Sequence, residues 1–187
     1  RGTTGVSVFR LVAELDAGPV VRMREAAIPE GATAGALLEQ LAALGADELV
    51  AAVDAIADGT ATFEPQTGAP TFAPKLGLAD GSLDLTATAP AVLARWRGVT
   101  PEPGAHATVL DERGEGERVK LLALARSGAE PIAPGHALLA GRTAVVGTGS
   151  APLELIEVQP AGKRPMSGAD WLRGRGGSAT FEPGAAA

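Results

Sequence analysis

The run RVKLLALAR at residues 118–126 is the longest of five short apolar or alternating segments that decide the fold of the C-terminal half. Turns rich in glycine, proline and charged residues separate these segments. Short strands at regular spacing, with such turns between them, are typical of a sandwich or a barrel, and closure into a barrel removes the exposed sheet edges. Short helices are expected beside them at 90–97 and at 168–173, the second capped by Ser167 and followed by a glycine-rich tail. The sequence therefore predicts a small closed barrel with strands at residues 105–110, 118–126, 135–139, 143–148 and 153–158.

The N-terminal half combines strand and helix patterns. Strands are expected at residues 6–12 and 20–24, with a turn-rich stretch between them. From Thr33, a suitable N-cap, leucine and valine recur as far as residue 58 at the spacing of one helical face. Because Gly45 interrupts that spacing, we expect two consecutive amphipathic helices packed against a sheet.

The two halves are joined by a stretch without periodicity. Residues 60–86 carry scattered prolines and glycines, as connecting segments do. We therefore expect an α/β body at residues 1–74, a linker at 75–86 and the barrel at 87–187.

Composition narrows the classes of function. The chain has 187 residues and no cysteine, which excludes disulfides, thiolate nucleophiles and Cys-ligated metal centres. Aromatic residues make up 3%, which leaves few side chains for stacking unpaired bases. No apolar run approaches the roughly 18–20 residues that span a bilayer, and no basic-then-apolar leader opens the sequence. We expect a cytoplasmic protein without a membrane partner or a metal.

The net charge of −6 is unevenly distributed. Residues 1–74 carry four Lys and Arg against ten Asp and Glu, whereas residues 75–187 carry twelve of each. Local clusters, more than net charge, decide whether a protein binds nucleic acid. Close pairs of positive charge in the second half are Arg95 and Arg97, Lys163 and Arg164, and Arg173 and Arg175.

Three groups of residues admit a functional and a structural interpretation. Asp16 precedes a Gly-Pro turn, where a carboxylate can project into a cleft or bond to its own backbone, and composition alone favours the turn role. Lys163 and Arg164 follow a Gln-Pro-Ala-Gly loop and could reach a phosphate or form a solvated pair. His106 and His136 follow Pro-Gly turns without an acid or nucleophile at a characteristic spacing, which favours strand-start histidines over catalytic ones.

Two motifs carry a resemblance to a known family. TGVSV at 4–8 together with ELDAGPV at 14–20 resembles the folate-dependent formyltransferases. VQPAGKRPMS at 158–167 resembles the C-terminal signature of the methionyl-tRNA formyltransferases among them. The first motif is shared by formyltransferases that act on other amines, whereas the second is specific. Shorter matching pieces lie in the same order, so the resemblance spans nearly the whole chain.

This resemblance implies transfer of a formyl group from 10-formyltetrahydrofolate to the α-amine of methionyl initiator tRNA, without a metal. The body at 1–74 would be the end of a Rossmann-like catalytic domain, and the later barrel an OB-like domain that binds tRNA. Asp16 matches the family's active-site aspartate, whose role is to orient an imidazole and to move protons through water. The residues expected to contact tRNA are Lys163, Arg164, Arg95, Arg97 and Lys75.

The sequence departs from the family at the other active-site positions. The family's Asn-x-His-x-Ser-Leu-Leu-Pro segment has no counterpart, since the chain contains no asparagine and neither histidine lies in that context. We expect the first part of the catalytic domain, with its folate loop, to lie outside this sequence. The intact enzyme is then expected to be a monomer, and the 187-residue chain alone to be inactive and prone to self-association. Two alternatives stay open: a free-standing RNA-binding barrel without catalysis, and a formyltransferase that acts on another amine.

Overall fold

The computed structural model describes residues 2–111 and 114–184 of the chain. The chain forms two compact units, Arg1–Pro74 and Lys75–Ala187. Each unit carries one of the two loops that the sequence motifs single out.

The N-terminal unit is an antiparallel strand pair covered by a helix. Strands β1 (Thr3–Phe9) and β2 (Val20–Ala27) pair along their length, and helix α1 (Ala34–Ala57) contacts both. Both strands had been predicted, although β1 lies three residues nearer the N-terminus than the expected 6–12 and β2 runs three residues further than expected. A Cβ added at Gly45 of α1 would lie 3.8 Å from Cγ1 of Val6, so this glycine faces β1.

Helix α1 is continuous, so the prediction of two consecutive helices is wrong. Glycine inside a helix costs about 1 kcal/mol relative to alanine, which is too little to end a helix that is anchored on both sides. At the start of α1, Thr33 Oγ1 accepts a hydrogen bond from the Ala36 N–H at 3.3 Å, which confirms the predicted N-cap. Beyond Gly45, Glu48 binds the neighbouring strand.

Glu48 joins α1 to β2 through two arginines. Its Oε2 accepts a hydrogen bond from Arg22 Nε at 2.7 Å, and its Oε1 lies 3.5 Å from Arg24 Nη1. The Arg22 hydrogen bond, together with the charges of both arginines, outweighs the opposing effect of burial and holds the pKa of Glu48 below its ordinary value. The ionised carboxylate therefore ties the helix to the strand.

The C-terminal unit is a seven-stranded sheet with helices at its margins. Its strands are β3 (His106–Leu110), β4 (Gly116–Arg126), β5 (His136–Ala140), β6 (Thr143–Val146), β7 (Leu153–Pro160), β8 (Met166–Ser167) and β9 (Ser178–Phe181). They pair in the order β4-β3-β9-β5-β6-β7-β8, and β7 also pairs with β4. The ladder of six strands thus returns to its starting strand, and β3 to β7 correspond to the five predicted strands.

Strand β9 follows the glycine-rich residues 174–177, in a region where the sequence predicts a tail. It pairs with both β3 and β5, and Phe181 at its end is buried with its ring centroid 5.8 Å from that of Trp171. Trp171 belongs to helix α3 (Gly168–Arg173), whose predicted cap is confirmed because Ser167 Oγ accepts from the Asp170 N–H at 3.0 Å. Pairing on two sides, rather than local sequence, makes this segment a strand.

Residues 75–86 differ from the expected linker. They contain a 3-10 turn at Leu78–Gly81, followed by Leu83 and Leu85, each only 1% exposed. The Leu83 N–H donates to the His106 carbonyl at 2.9 Å, which fixes the segment beside β3. Helix α2 (Ala89–Gly98) follows directly. Two leucines in a glycine-rich stretch form too short a pattern to indicate burial, so only the folded unit reveals their role.

Candidate functional site

Asp16 lies in the turn that connects β1 to β2. Its backbone is left-handed, with φ of 53°, a conformation that aspartate tolerates better than most non-glycine residues. Its side chain is exposed. The turn therefore presents a solvent-accessible carboxylate that can accept hydrogen bonds.

Gln66 holds this turn from the segment that follows α1. One side-chain nitrogen, Nε2, donates to the Asp16 carbonyl at 2.7 Å and to the Gly18 carbonyl at 2.8 Å. Two backbone hydrogen bonds of 2.8 Å between Val20 and Glu64 align the two segments in antiparallel fashion. The turn is thus tied to a second part of the chain, and sequence reasoning had not singled out Gln66.

Gly18 allows the turn to close on β1. A Cβ at this position would lie 1.7 Å from the Arg10 carbonyl oxygen, so any larger residue would force the backbones apart. The Arg10 N–H donates to the Pro19 carbonyl at 3.0 Å, and its guanidinium lies 5.1 Å from the centroid of the Phe63 ring. The Gly-Pro pair after Asp16 therefore has a structural role of its own.

Two open clefts meet at Asp16. The first has a volume of about 600 Å³, with Phe9, Val20 and Met23 among its lining residues. The second, of about 570 Å³, lies toward Phe72. Asp16 is a lining residue of both clefts.

The two histidines lie in the other unit. His106 is the first residue of β3 and is buried, with its Nδ1 3.3 Å from the Gly104 carbonyl oxygen. His136 is the first residue of β5 and is exposed. Both are strand-start histidines, as their spacing had favoured. Residues 1–74 contain no histidine, so no imidazole partner for Asp16 comes from its own unit.

Lys163 and Arg164 lie in the loop between β7 and β8. Gly162 has a φ of 70° there, and the Lys163 N–H donates to the Pro160 carbonyl at 3.1 Å. The amide of Gln159 donates to the Lys163 carbonyl at 3.0 Å, which closes the loop. Both cationic side chains are exposed, so this loop presents two positive charges on a fixed backbone.

Lys163 also lines a small pocket with Arg175, a residue for which no role had been assigned from the sequence. The pocket has a volume of about 150 Å³. The Arg175 guanidinium lies 5.6 Å from the centroid of the Trp171 ring and donates to Glu117 Oε2 at 3.0 Å. The Arg173–Arg175 pair in the sequence was the available signal, but it did not show which arginine would lie near Lys163.

The remaining predicted cations lie elsewhere in the C-terminal unit. Arg95 and Arg97 occupy the last turn of α2, and Arg95 Nη2 lies 3.4 Å from Asp80 Oδ1. Lys75 is exposed at the start of the unit. A single contact with Asp80 therefore holds the side chain of Arg95, whereas the Lys163 loop is held through its backbone.

Neither a metal-binding cluster nor a membrane-spanning helix occurs among the described residues. Among residues 2–111 and 114–184, no group of three or more acidic or histidine side chains is placed to hold a metal ion. In the same ranges, no helix has both the length and the apolar character needed to cross a bilayer.

Comparison with known proteins places the chain among the formyltransferases. It is 52% identical over 178 residues to the methionyl-tRNA formyltransferase of Leifsonia xyli subsp. xyli (strain CTCB07), over 95% of this chain and 57% of that protein. It is likewise 52% identical to the methionyl-tRNA formyltransferase of Clavibacter sepedonicus, over 91% of this chain and 55% of that protein. The chain thus spans about half the length of the curated relatives it matches, and the predicted resemblance is confirmed.

A solved structure shares the fold at lower identity. HypX from Aquifex aeolicus in complex with tetrahydrofolic acid superposes with a TM-score of 0.73 at 19% identity, over 91% of this chain and 30% of that one. This likeness concerns the fold alone. Residues 75–176 match the family described as Formyl transferase, C-terminal domain. The chain therefore belongs to the formyl transferase family, and its C-terminal unit contains that family's C-terminal domain.

Proposed function

We propose that this chain is part of an enzyme that transfers a formyl group from 10-formyltetrahydrofolate to the α-amine of methionyl initiator tRNA. The observation that carries the proposal is the 52% identity to a methionyl-tRNA formyltransferase over 95% of the chain. At 95% coverage of the chain, the aligned stretch includes both the Asp16 turn and the loop of Lys163. The proposal places the protein in the cytoplasm, where initiator tRNA is used, and the intact enzyme as a monomer.

In this proposal, Asp16 takes part in proton transfer. The attacking amine must be uncharged, and the tetrahedral oxyanion that forms must be stabilised. The exposed carboxylate of a residue that lines two clefts can orient an imidazole and accept a proton through water. The imidazole belongs to a segment outside residues 1–74, since these contain no histidine. Phe9, Val20 and Met23 offer an apolar wall that suits one face of the folate ring.

The C-terminal unit binds tRNA in this proposal. We interpret its closed six-strand ladder as an OB-like barrel. With 3% aromatic residues in the chain, contacts to phosphates are favoured over base stacking. Lys163 and Arg164 are the first candidates because their loop is exposed and backbone-fixed, with Arg95, Arg97 and Lys75 as further contacts.

The catalytic proposal is tested by Asp16→Asn in the protein as its gene encodes it. We expect the rate of formyl transfer to methionyl-tRNA to fall by about 10²–10⁴-fold, as for other carboxylate–imidazole pairs, with the fold retained. The 187-residue chain alone is expected to show no transfer above background. A loss below about fivefold in Asp16→Asn would reduce Asp16 to a turn residue, and faster transfer to a small amine than to methionyl-tRNA would favour the other formyltransferases.

The tRNA proposal is tested by changing Lys163 and Arg164 together to alanine. We expect the slope of log K against log salt for tRNA binding to fall by about one to two units, since each neutralised phosphate releases roughly 0.9 counterions on a duplex. The matched control changes the exposed Arg126 and Arg142 to alanine, which removes the same charge outside the loop. An unaltered slope in the Lys163 and Arg164 variant, or an equal loss in the control, would contradict the assignment.

A further inference from the structure

The turn that carries Asp16 depends on one side chain from a distant segment. Asp16 and Gln66 are 50 positions apart in sequence, with α1 between them. The left-handed backbone at Asp16, with φ of 53°, is uncommon for a residue other than glycine. Such a conformation persists where the surrounding structure holds it. Contacts around the turn must therefore hold the left-handed backbone at Asp16.

The amide of Gln66 is suited to that task. It carries two N–H donors in one plane, and the carbonyls of Asp16 and Gly18 lie 2.7 and 2.8 Å from its nitrogen. These two carbonyls flank the turn that sets the direction of the Asp16 side chain. Glutamate has nearly the same shape but offers only acceptors when it is ionised, so it would face both carbonyls without a donor.

The position of Gln66 is fixed by the backbone before it. Both backbone hydrogen bonds between Val20 and Glu64 measure 2.8 Å. In this antiparallel alignment, residue 66 lies across from residue 18, so the side chain of Gln66 starts beside the turn. The amide therefore acts from a rigid attachment rather than from a free loop.

We propose that Gln66 is a positioning residue for Asp16: its two hydrogen bonds fix the backbone on both sides of Ala17 and thereby aim the carboxylate into the clefts. This inference rests on the proposed catalytic role of Asp16. It adds that Gln66, which lines both clefts beside Asp16, controls the rate through the direction of Asp16 rather than through a contact of its own with substrate. A misplacement of about 1 Å at a reacting group can cost on the order of 10²-fold in rate.

The first experiment requires no catalysis. In the 187-residue chain, NMR detects the Gln66 side-chain amide and its couplings across the hydrogen bonds to the carbonyl carbons of Asp16 and Gly18. We expect both couplings in the parent chain. Gln66→Glu should lose them and shift the Asp16–Gly18 resonances, whereas Gln40→Glu, at an exposed site on α1, should leave the turn unchanged. A parent chain without the couplings would overturn the inference.

The second experiment uses the protein as its gene encodes it. We expect Gln66→Glu to lower kcat by about 10- to 100-fold with KM for methionyl-tRNA within about twofold, because the carboxylate is misdirected while the side chains proposed to contact tRNA are unchanged. Gln66→Lys regains N–H donors and should recover most of kcat. If Gln66 only stabilised the fold, both variants would have a lower thermal midpoint, and kcat would not fall selectively while KM stayed constant.

The outcomes separate the inference from the function on which it rests. If Asp16→Asn lowers the rate strongly and Gln66→Glu leaves kcat within twofold, only the positioning role is wrong. If Asp16→Asn has little effect, the catalytic role of Asp16 is wrong, and the inference falls with it even where the hydrogen bonds are detected.

Discussion

Within the described residues, the two units divide their apolar side chains unequally. The C-terminal unit buries a contiguous core that includes Leu121, Leu155 and Leu172, whereas the buried hydrophobic set takes only Ala52 from the N-terminal unit. The N-terminal unit instead exposes most of the large apolar side chains that lie at the surface. A closed ladder of strands encloses its own core, and a two-stranded sheet does not.

Helix α1 shows how this difference arises. Its inward face meets the strands around Gly45, Glu48 and Ala52. A second apolar stripe lies beside that face at helical spacing and remains exposed, with Leu38 at 65%, Leu49 at 53% and Ile56 at 51%. The apolar surface of the helix is therefore wider than two strands can cover. A unit of this kind gains stability from burial only when something else covers the stripe.

The largest expected effect comes from shortening the C-terminal unit. We expect residues 75–187 expressed alone to fold, and residues 87–187 to lose most of their stability, since they lack Leu83 and Leu85. Truncating one buried leucine to alanine already costs about 2–5 kcal/mol, against about 5–15 kcal/mol for a whole domain. Urea denaturation followed by circular dichroism measures both pieces. Equal midpoints would mean that 75–86 is a linker after all.

A matched pair of leucine substitutions compares the two units directly. Leu155→Ala removes a side chain that is 1% exposed, and Leu38→Ala one that is 65% exposed. We expect the first to lower the free energy of unfolding by about 2–5 kcal/mol and the second by less than about 0.5 kcal/mol. Denaturant unfolding of each variant provides the comparison. Similar losses would show that the exposed stripe is buried in solution.

Self-association should follow from the exposed stripe. We expect the 187-residue chain to associate as its concentration rises, and Leu49→Lys to weaken this by about tenfold or more, since one buried leucine contributes about 1.5–3 kcal/mol. Ile156→Lys in the C-terminal unit, where the side chain is 46% exposed, is the control. Light scattering over a concentration series reports the mass. A monomer at every concentration, or equal effects of both variants, would contradict this view of the N-terminal unit.

The smallest expected effect concerns Glu48 and pH. Because its pKa is lowered in the folded unit, chiefly by the hydrogen bond from Arg22, Glu48 stabilises the fold above its ordinary pKa. That contribution is lost as the pH falls through the lowered pKa. Glu48→Gln should therefore speed amide hydrogen exchange in α1 at pH 7 and make little difference well below pH 4. A constant difference across this range would indicate that the ion pair does not contribute.

The sequence predicted most elements whose signal is local. Strands β3 to β7 have alternating or apolar runs between turn residues, and the caps at Thr33 and Ser167 follow from single side chains that accept backbone hydrogen bonds. Residues whose state depends on distant partners were predicted poorly. Gly45 stays helical because α1 packs against the strands there, and β9 forms because it pairs with both β3 and β5.

The same division holds for the candidate site. The Asp16 motif could be recognised from the sequence, and the structure adds that Asp16 is exposed and lines two clefts. Gln66 could not be found in this way, since its importance lies in two carbonyls far away along the chain. Arg175 likewise becomes relevant only when folding places it beside Trp171 and the pocket of Lys163. Long-range contacts, rather than residue type, define these supporting residues.

The central place of β9 has a consequence for synthesis on the ribosome. Strands β3 and β5 are separated in the sheet by a strand that begins at residue 178. Until residues 178–181 have left the ribosome, the facing edges of β3 and β5 have no partner from this sheet. Unpaired strand edges invite association with other chains. The sheet of the C-terminal unit should therefore be completed only when β9 has emerged, and the nascent chain is most vulnerable to aggregation just before that point.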